Sequence, residues 1–460
     1  MFPDPHSRPA RHTMLYDGFS GNTLVQCEIV AVLCEKRWGN TRALIQPTHS
    51  HNHHDAYAAW RLPAFRRYFA GNMILILGWQ MQKVAIGWEI YERTHSALYL
   101  GYAGLAQFFP QVLFMLFAGH ITDTHNRKRV FMTALTCNAA AAVGLALNSA
   151  HGGSIYVLYA CLFAYGSARA FIMPSRAAFL PSIIPLEIFS TAVSWNSSGF
   201  EISSMAGPAI GGLLIAFFQS PTLVYTVNAV GQFIFIALLA GIAYKARPGT
   251  RQPLTLTSFS AGFRFVWKAK VILAAMALDM FGVLLGGATA MMPIYAKDVL
   301  HVGARGLGWL VAAPSIGAFS MAMIQAHRGP LRRAGRTMLF AVAGFGTVTV
   351  IFGISKSFWL SMAMLFVLGS CDNISVVVRS TLVQVLTPDD MRGRVSALNS
   401  LFIGTSNELG AFESGLVASF FGPVLSVVSG GIGTIVVVFF MTWLSPELRR
   451  YGALGKTGGS

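Results

Sequence analysis

Apolar stretches of about twenty residues recur from Tyr68 almost to the C-terminus, and no other feature restricts the fold as tightly. At 1.5 Å per residue, each can cross a hydrocarbon core about 30 Å thick. No water is present there to satisfy the backbone, so a run of this length has to close its hydrogen bonds within itself, as a helix. Charged residues make up only 11% of the chain, against roughly 25% in a soluble domain. The sequence therefore predicts an all-α polytopic membrane protein, with the lipid bilayer as its first partner.

The net charge of +16 would suggest nucleic acid in a soluble protein. In a membrane protein, basic residues instead hold loops on the cytoplasmic side, and no nucleic-acid partner is expected. Cys27, Cys34, Cys137, Cys161 and Cys371 show no metal-ligand spacing and read as packing residues. No metal or cofactor is expected. No HExxH, GxSxG or phosphate-binding loop is present, so the chain does not read as an enzyme, and with no nucleotide-binding domain any transport would use a gradient.

Residues 1–60 are rich in His, Pro, Asn and Arg and lack a membrane-length run. They are expected to form a disordered cytoplasmic tail; initiation further along the chain is the alternative. "LVQCEIVAVLC" is too short to span, and no small-residue cleavage site follows it. His49, His51, His53 and His54 could hold a metal only weakly.

Twelve helices are expected at about 68–92, 97–119, 129–149, 154–176, 189–218, 221–244, 271–296, 303–326, 337–355, 358–383, 394–420 and 423–444. Joins after even-numbered spans carry Arg127, Lys128, Arg129, Lys245, Arg247, Arg251, Arg328, Arg332, Arg333, Arg336, Arg392 and Arg394. The opposite joins hold little beyond Arg93, Lys297, Arg305 and Lys356. The positive-inside rule then places both termini in the cytoplasm.

The chain also repeats itself. Shifted by 203 positions, Gly166, Arg176, Pro185, Gly207 and Gly212 fall on Gly369, Arg379, Pro388, Gly410 and Gly415. At 204, Ile90-Tyr91, Gly104 and Pro110 fall on Ile294-Tyr295, Gly308 and Pro314. This predicts a duplicated unit: a six-helix half over 61–244, a cytoplasmic linker at 245–270, a second six-helix half over 271–445 and a cytoplasmic tail at 446–460. Parallel six-span halves about a central site are the plan of a rocker-type secondary transporter.

Several motifs fit that plan. "AGHITDTHNRKRV" joins spans 2 and 3, "SSMAGPAIGG" lies in span 5, and "GWEIYERTHSALYLGYAGL" and "RGRVSALNSLFIGTSNELGAFESG" lie elsewhere. On these segments residues 60–445 resemble the major facilitator superfamily. The last two are similar to its bacterial branch that includes the enterobactin exporter and macrolide-efflux proteins.

The resemblance implies roles. Gly119, Asp123, Arg127 and Lys128 match the superfamily's GxxxDRxGR[RK] signature and, with Arg129, would form a cytoplasmic gate. Gly119 would admit a neighbouring helix, and Asp123 would accept hydrogen bonds from a helix N-terminus or an arginine. A solvated positive-inside loop is the plain alternative. Thr124 replaces an arginine of the signature, and Asn126 replaces a glycine and is expected to supply its left-handed turn. Gly207, Pro208, Gly211 and Gly212 resemble the GPxxGG signature associated with proton-coupled exporters; simple helix packing is the alternative. Ser194 and Ser203 stand where that signature has further glycines, and Leu162 stands where drug antiporters of the family carry an arginine.

In this superfamily spans 1, 4, 7 and 10 line the cavity, and here they carry Lys83, Arg169, Asp279 and Asp372. Insertion scales charge about 2.5–3.5 kcal/mol for such groups, so each is a candidate for substrate contact or proton coupling. Asp279 and Glu201 lead for the proton, followed by Glu408 and Glu413. Arg169 and Asp372, equivalent under the 203 shift, are expected to pair across the cavity in at least one conformation; the alternative is that each is satisfied locally. Gln80 and Lys83 share one face of span 1 and could meet a polar substrate, unless Lys83 turns outward to Glu89. No aromatic drug pocket is read from the many Phe, Met and Trp residues.

The expected function is export of a small organic molecule, a siderophore or hydrophobic drug, across a bacterial inner membrane. It would proceed by alternating access in exchange for protons, in a monomer. An importer or an exchanger using another gradient is the nearest alternative. A non-transporting scaffold or sensor is the alternative of a different class; it would have no need for charges in all four cavity spans.

Overall fold

The computed structural model describes residues 57–244, 256–328 and 333–452. The cytoplasmic-tail assignment for residues 1–56, the charges at Lys245, Arg247, Arg251 and Arg332, and the end of the C-terminal tail lie outside them. Among the described residues the long helical segments are α1 (Pro63–Thr94), α2 (Ala97–Thr124), α3 (Arg127–Ala150), α4 (Ile155–Ile183), α5 (Phe189–Phe218), α6 (Thr222–Ala240), α7 (Lys270–Leu285), α8 (Gly303–Arg328), α9 (Ala334–Ile354), α10 (Phe358–Leu386), α11 (Asp389–Phe421) and α12 (Pro423–Leu444). Nine of the described helical stretches are long and apolar enough to cross a membrane, with α7 counted through Val299. α1, α2 and α11 fall outside that set; α1 and α11 carry charged residues along their length.

Local chemistry sets the ends. Asn126 starts α3 by accepting from the Arg129 amide at 3.2 Å, and Ser154 starts α4 by accepting from Tyr156 at 3.2 Å, both ordinary N-caps. Asn126 has φ −63°, so it does not supply the left-handed turn expected of it; it caps instead. Among the described residues those with positive φ lie at the joins opposite the basic ones: His95, Gly152, Gln219, His301, Gly303 and Gly422.

Span 7 departs from the single helix expected over 271–296. α7 stops at Leu285, Gly286 and Gly287 break it, and a 3-10 turn (Ala288–Met291), one helical turn and a π-helical stretch (Tyr295–Val299) continue it. Glycine is what the packing requires there. A Cβ on Gly287 would lie 2.7 Å from the Gly410 carbonyl oxygen, and one on Gly286 2.7 Å from that of Gly282. The expected linker contains a helix, Leu256–Lys268, immediately before α7.

Within each half, basic residues tie neighbouring helix ends together. Lys128 Nζ donates to the Ala240 and Ile242 carbonyls at 2.9 and 2.8 Å, closing the C-terminus of α6. Arg67 donates to the Gly241 carbonyl. Lys270 pairs with Glu447 at 3.3 Å.

Packing reveals the duplication. Near the ends away from the basic joins, α5 crosses α8 with a would-be Gly212 Cβ 2.7 Å from Gly308 Cα, and α11 crosses α2 with a would-be Gly415 Cβ 3.0 Å from Gly101 Cα. Gly212 and Gly415 are repeat equivalents. Small residues permit such backbone contact, which in lipid is driven by close packing. One buried apolar cluster spans both halves at this level, including Leu100, Leu145, Leu307 and Leu365. Toward the basic ends the clusters separate, one around Phe65, Phe131, Phe179 and Phe235 in the first half and others around Leu278, Met338 and Leu382 and around Val266 and Val395 in the second. A would-be Cβ on Gly119, Gly393 or Gly404, lower on α2 and α11, meets nothing within 4 Å among the described residues. Among the described residues the halves are thus joined at one end and apart at the other. Gly119 does not seat a neighbouring helix in this conformation.

Candidate transport site

A cavity of about 250 Å³ lies at the junction of the halves. α1 contributes Gln80 and Lys83, α2 Gln107, α5 Ser204 and Pro208, the broken span 7 Thr289 and Pro293, and α8 Ser315. Gln80 donates to Ser204 Oγ at 2.9 Å. Gly207 packs on α1, a would-be Cβ lying 3.0 Å from the Leu77 carbonyl, while Gly211 packs on Met81 and Gly212 on α8. The span 5 motif therefore seats α5 against both the cavity wall and the other half.

Lys83 is accessible although it lies twenty residues into α1, because its side chain opens into this cavity. It does not turn to Glu89, which pairs with Arg93 and accepts from Tyr225 Oη at 2.6 Å. Its charged neighbours are Glu408 and Arg169. The Glu408 carboxylate comes from the opposite half and rests against α2, 3.1 Å from where a Gly104 Cβ would stand. A side chain at 104 would displace it.

Arg169 lies over the Trp79 ring, 5.6 Å from its centroid, a cation–π contact. Trp79 is held by Asn138, its Nε1 donating to Oδ1 at 3.3 Å, and packs edge-on to Tyr165. The buried Arg169 Nε has no hydrogen-bond partner. Arg169 and Asp372 form no ion pair in this conformation; the carboxylate near Arg169 is Glu408.

Asp279 sits apart from the cavity wall. It forms a buried ion pair with Arg379 of α10 and accepts from Ser375 Oγ at 3.3 Å. Arg379 entered the sequence reading only as the repeat match of Arg176; its place in an apolar span, two helical turns beyond Asp372, is the signal that could have flagged it. Glu201 is half-buried on α5 outside the cavity wall, and Glu413 lies beside Ser414, 3.5 Å from its hydroxyl. Arg127 and Arg129 open α3 beside Lys128, and the Asp123 side chain lies outside the described residues. Sequence reading also passed over a buried amide ladder in the first half. Asn228 donates to Gln82 at 2.5 Å, Gln232 to Asn228 at 3.2 Å, and Asn72 to Asn196 at 2.7 Å.

At the end where the halves meet, residues of spans 1 and 7 interlock. Lys297 Nζ lies 2.6 Å from Glu92 Oε2, and Tyr91 donates to Asp298. A second cavity of about 500 Å³ lies beside them, lined by Glu89, Glu92, Arg93 and Arg305 among others.

A helical bundle in two repeated halves, with a charged cavity between them, is a polytopic membrane carrier. The chain belongs to the major facilitator superfamily, in the family described as transmembrane secretion effectors, whose profile matches residues 54–452. It is 26% identical over 394 residues to the enterobactin exporters of Shigella boydii serotype 18 and Escherichia coli O139:H28, a match covering 85% of this chain and 93% of each relative. Among solved structures it is similar to a bacterial homolog of the human lysosomal transporter Spinster in an inward-facing, unoccupied conformation, with TM-score 0.64 and 14% identity over 85% of this chain and 98% of that one. A D-xylose–proton symporter matches with TM-score 0.65 and 13% identity over 84% and 99%. These two likenesses concern the fold.

Proposed function

We propose that this transporter exports a small organic molecule of the siderophore or hydrophobic-drug class, in exchange for protons, by alternating access. It would act as a monomer in a bacterial inner membrane, with both termini and the basic joins in the cytoplasm. The supporting observation is the cavity itself: it is lined by both halves, Lys83 opens into it, and Glu408 and Arg169 are the charged neighbours of Lys83 beneath the closed end. The enterobactin exporters among its relatives support the substrate class.

The arrangement suggests how exchange would arise. Hydrogen-bond donors on the cargo engage the Glu408 carboxylate; a proton arriving there removes that acceptor and releases the cargo. A cargo that instead displaced Glu408 from Lys83 and Arg169 would favour its protonation and move with the proton. The direction of proton movement thus reports which groups the cargo meets. Glu408 is our first proton carrier. Asp279 follows, its role requiring the Arg379 pair to open, and then Glu201 and Glu413. Gln80 and Lys83 hold polar parts of the cargo. Arg169 exchanges Glu408 for Asp372 when the basic ends close, and Gly119, Asp123, Arg127, Lys128 and Arg129 form the gate in that closed state.

Proteoliposomes loaded with a pH indicator test this, with enterobactin and a macrolide as cargo. Cargo-driven proton movement opposite to the cargo is expected in wild type and lost in Glu408→Gln, with binding retained. Proton movement parallel to the cargo favours an importer or symporter. Unchanged coupling in Glu408→Gln, Asp279→Asn and Glu201→Gln removes all three carboxylates from the mechanism.

A further inference from the structure

The helix Leu256–Lys268 joins the two halves and is not part of the transport site. Its inner face is fixed: Val266 is buried with Ile272, Met276, Val383, Val395 and Leu398, and Gly262 packs on Arg394, 3.2 Å from its Cβ. A single residue, Ala269, separates it from α7, so it is held beside the end at which the apolar run of span 7 begins.

Its outer face is divided in a specific way. Phe263 and Trp267, one turn apart, are 45% and 65% exposed and stack at 5.8 Å. Arg264 and Lys268, also one turn apart, are exposed beside them. At 100° per residue the aromatic pair occupies one flank of the outward arc and the basic pair the next. A stacked Phe–Trp pair is costly to leave in water, and tryptophan favours the headgroup level of a bilayer. A basic flank at the same depth complements anionic headgroups, whose negative potential attracts basic segments near the membrane.

We propose that the helix Leu256–Lys268 lies in the membrane–water interface, with Phe263 and Trp267 among the acyl chains and Arg264 and Lys268 on anionic phospholipid headgroups. Because Val266 and Gly262 clamp it to α10 and α11, anionic lipid would act on the second half at the end where the halves are apart. The inference is independent of what is transported.

Hydrogen–deuterium exchange of the full-length protein in nanodiscs of phosphatidylcholine alone, or with one third phosphatidylglycerol, provides the test. Amides of 256–268 are expected to exchange several-fold more slowly with phosphatidylglycerol. Arg264→Gln/Lys268→Gln should abolish that difference, and Phe263→Ala/Trp267→Ala should speed exchange in both lipids. Exchange within α3 and α9 serves as the folding reference and should not change. Equal exchange in the two lipids for wild type overturns the proposal. So does protection that requires two copies per disc, which would assign the face to self-association.

Discussion

Lys297 and Glu92 form an ion pair at 2.6 Å that ties the end of span 7 to the end of α1. Beside it, Tyr91 and Asp298 make a second tie between the same two ends. Ile90-Tyr91 and Ile294-Tyr295 are repeat equivalents, so the fastening is built from matching ends of the two copies. The carboxylate side chain is half exposed and the lysine a quarter, which limits the ion pair to about 0.2–1 kcal/mol.

Lys297→Gln should therefore shift the balance toward opening at this end by at most about fivefold. Alkylation of a cysteine at Leu307 by a membrane-impermeant maleimide added from that side would measure it. The exchange Glu92→Lys/Lys297→Glu should restore the wild-type rate, and no acceleration in the single variant would show that Tyr91 and Asp298 suffice.

Gly212→Val should impair the conformation described here. Its Cβ would stand 2.6 Å from the Ala304 carbonyl oxygen and 2.7 Å from Gly308 Cα, backbone atoms that cannot turn aside. Overpacking costs roughly 1–3 kcal/mol, so occupancy of the closed end should fall about 5- to 150-fold. Double electron–electron resonance distances across that end would record the shift, with expression and membrane insertion retained.

Gly119→Leu offers the converse. Nothing lies within 4 Å of where a Gly119 Cβ would stand, so a side chain there starts into open space in this conformation. If closing the basic ends brings a helix onto Gly119, the variant should fold normally and fail to transport. Normal transport would return the α2–α3 join to an orienting loop.

Asp279→Asn and Arg379→Ala should each lower stability by about 3–5 kcal/mol, because each leaves a buried partner uncompensated. The double variant Asp279→Asn/Arg379→Met should lose less than the sum. Thermal unfolding in detergent checks both; additive losses would mean that the two charges are satisfied separately.

Helix positions and the two-half repeat were legible because membrane length and glycine spacing are periodic one-dimensional signals. The break at Gly286–Gly287 was not, since two glycines within an apolar run do not announce whether backbone will approach them. Lys83, Asp279 and Glu408 stood out as charges in oil, but partner choice depends on helix rotation. Symmetry suggested Arg169 with Asp372, whereas rotation gives Arg379 to Asp279 and places Glu408 near Arg169. Gln82, Asn228 and Gln232 escaped notice because neutral amides raise no alarm in a composition this apolar, although buried between helices they bond to one another.

The left-handed residues at the joins opposite the basic ends, from His95 to Gly422, have a practical consequence. Among the described residues they turn the chain within a few residues, which leaves short joins and little free strand for a protease to grip. The joins after even-numbered spans carry most of the lysines and arginines of the connecting segments. In the orientation proposed, trypsin added to intact spheroplasts should leave the chain whole, while the same enzyme added to inverted vesicles should cut it near its middle.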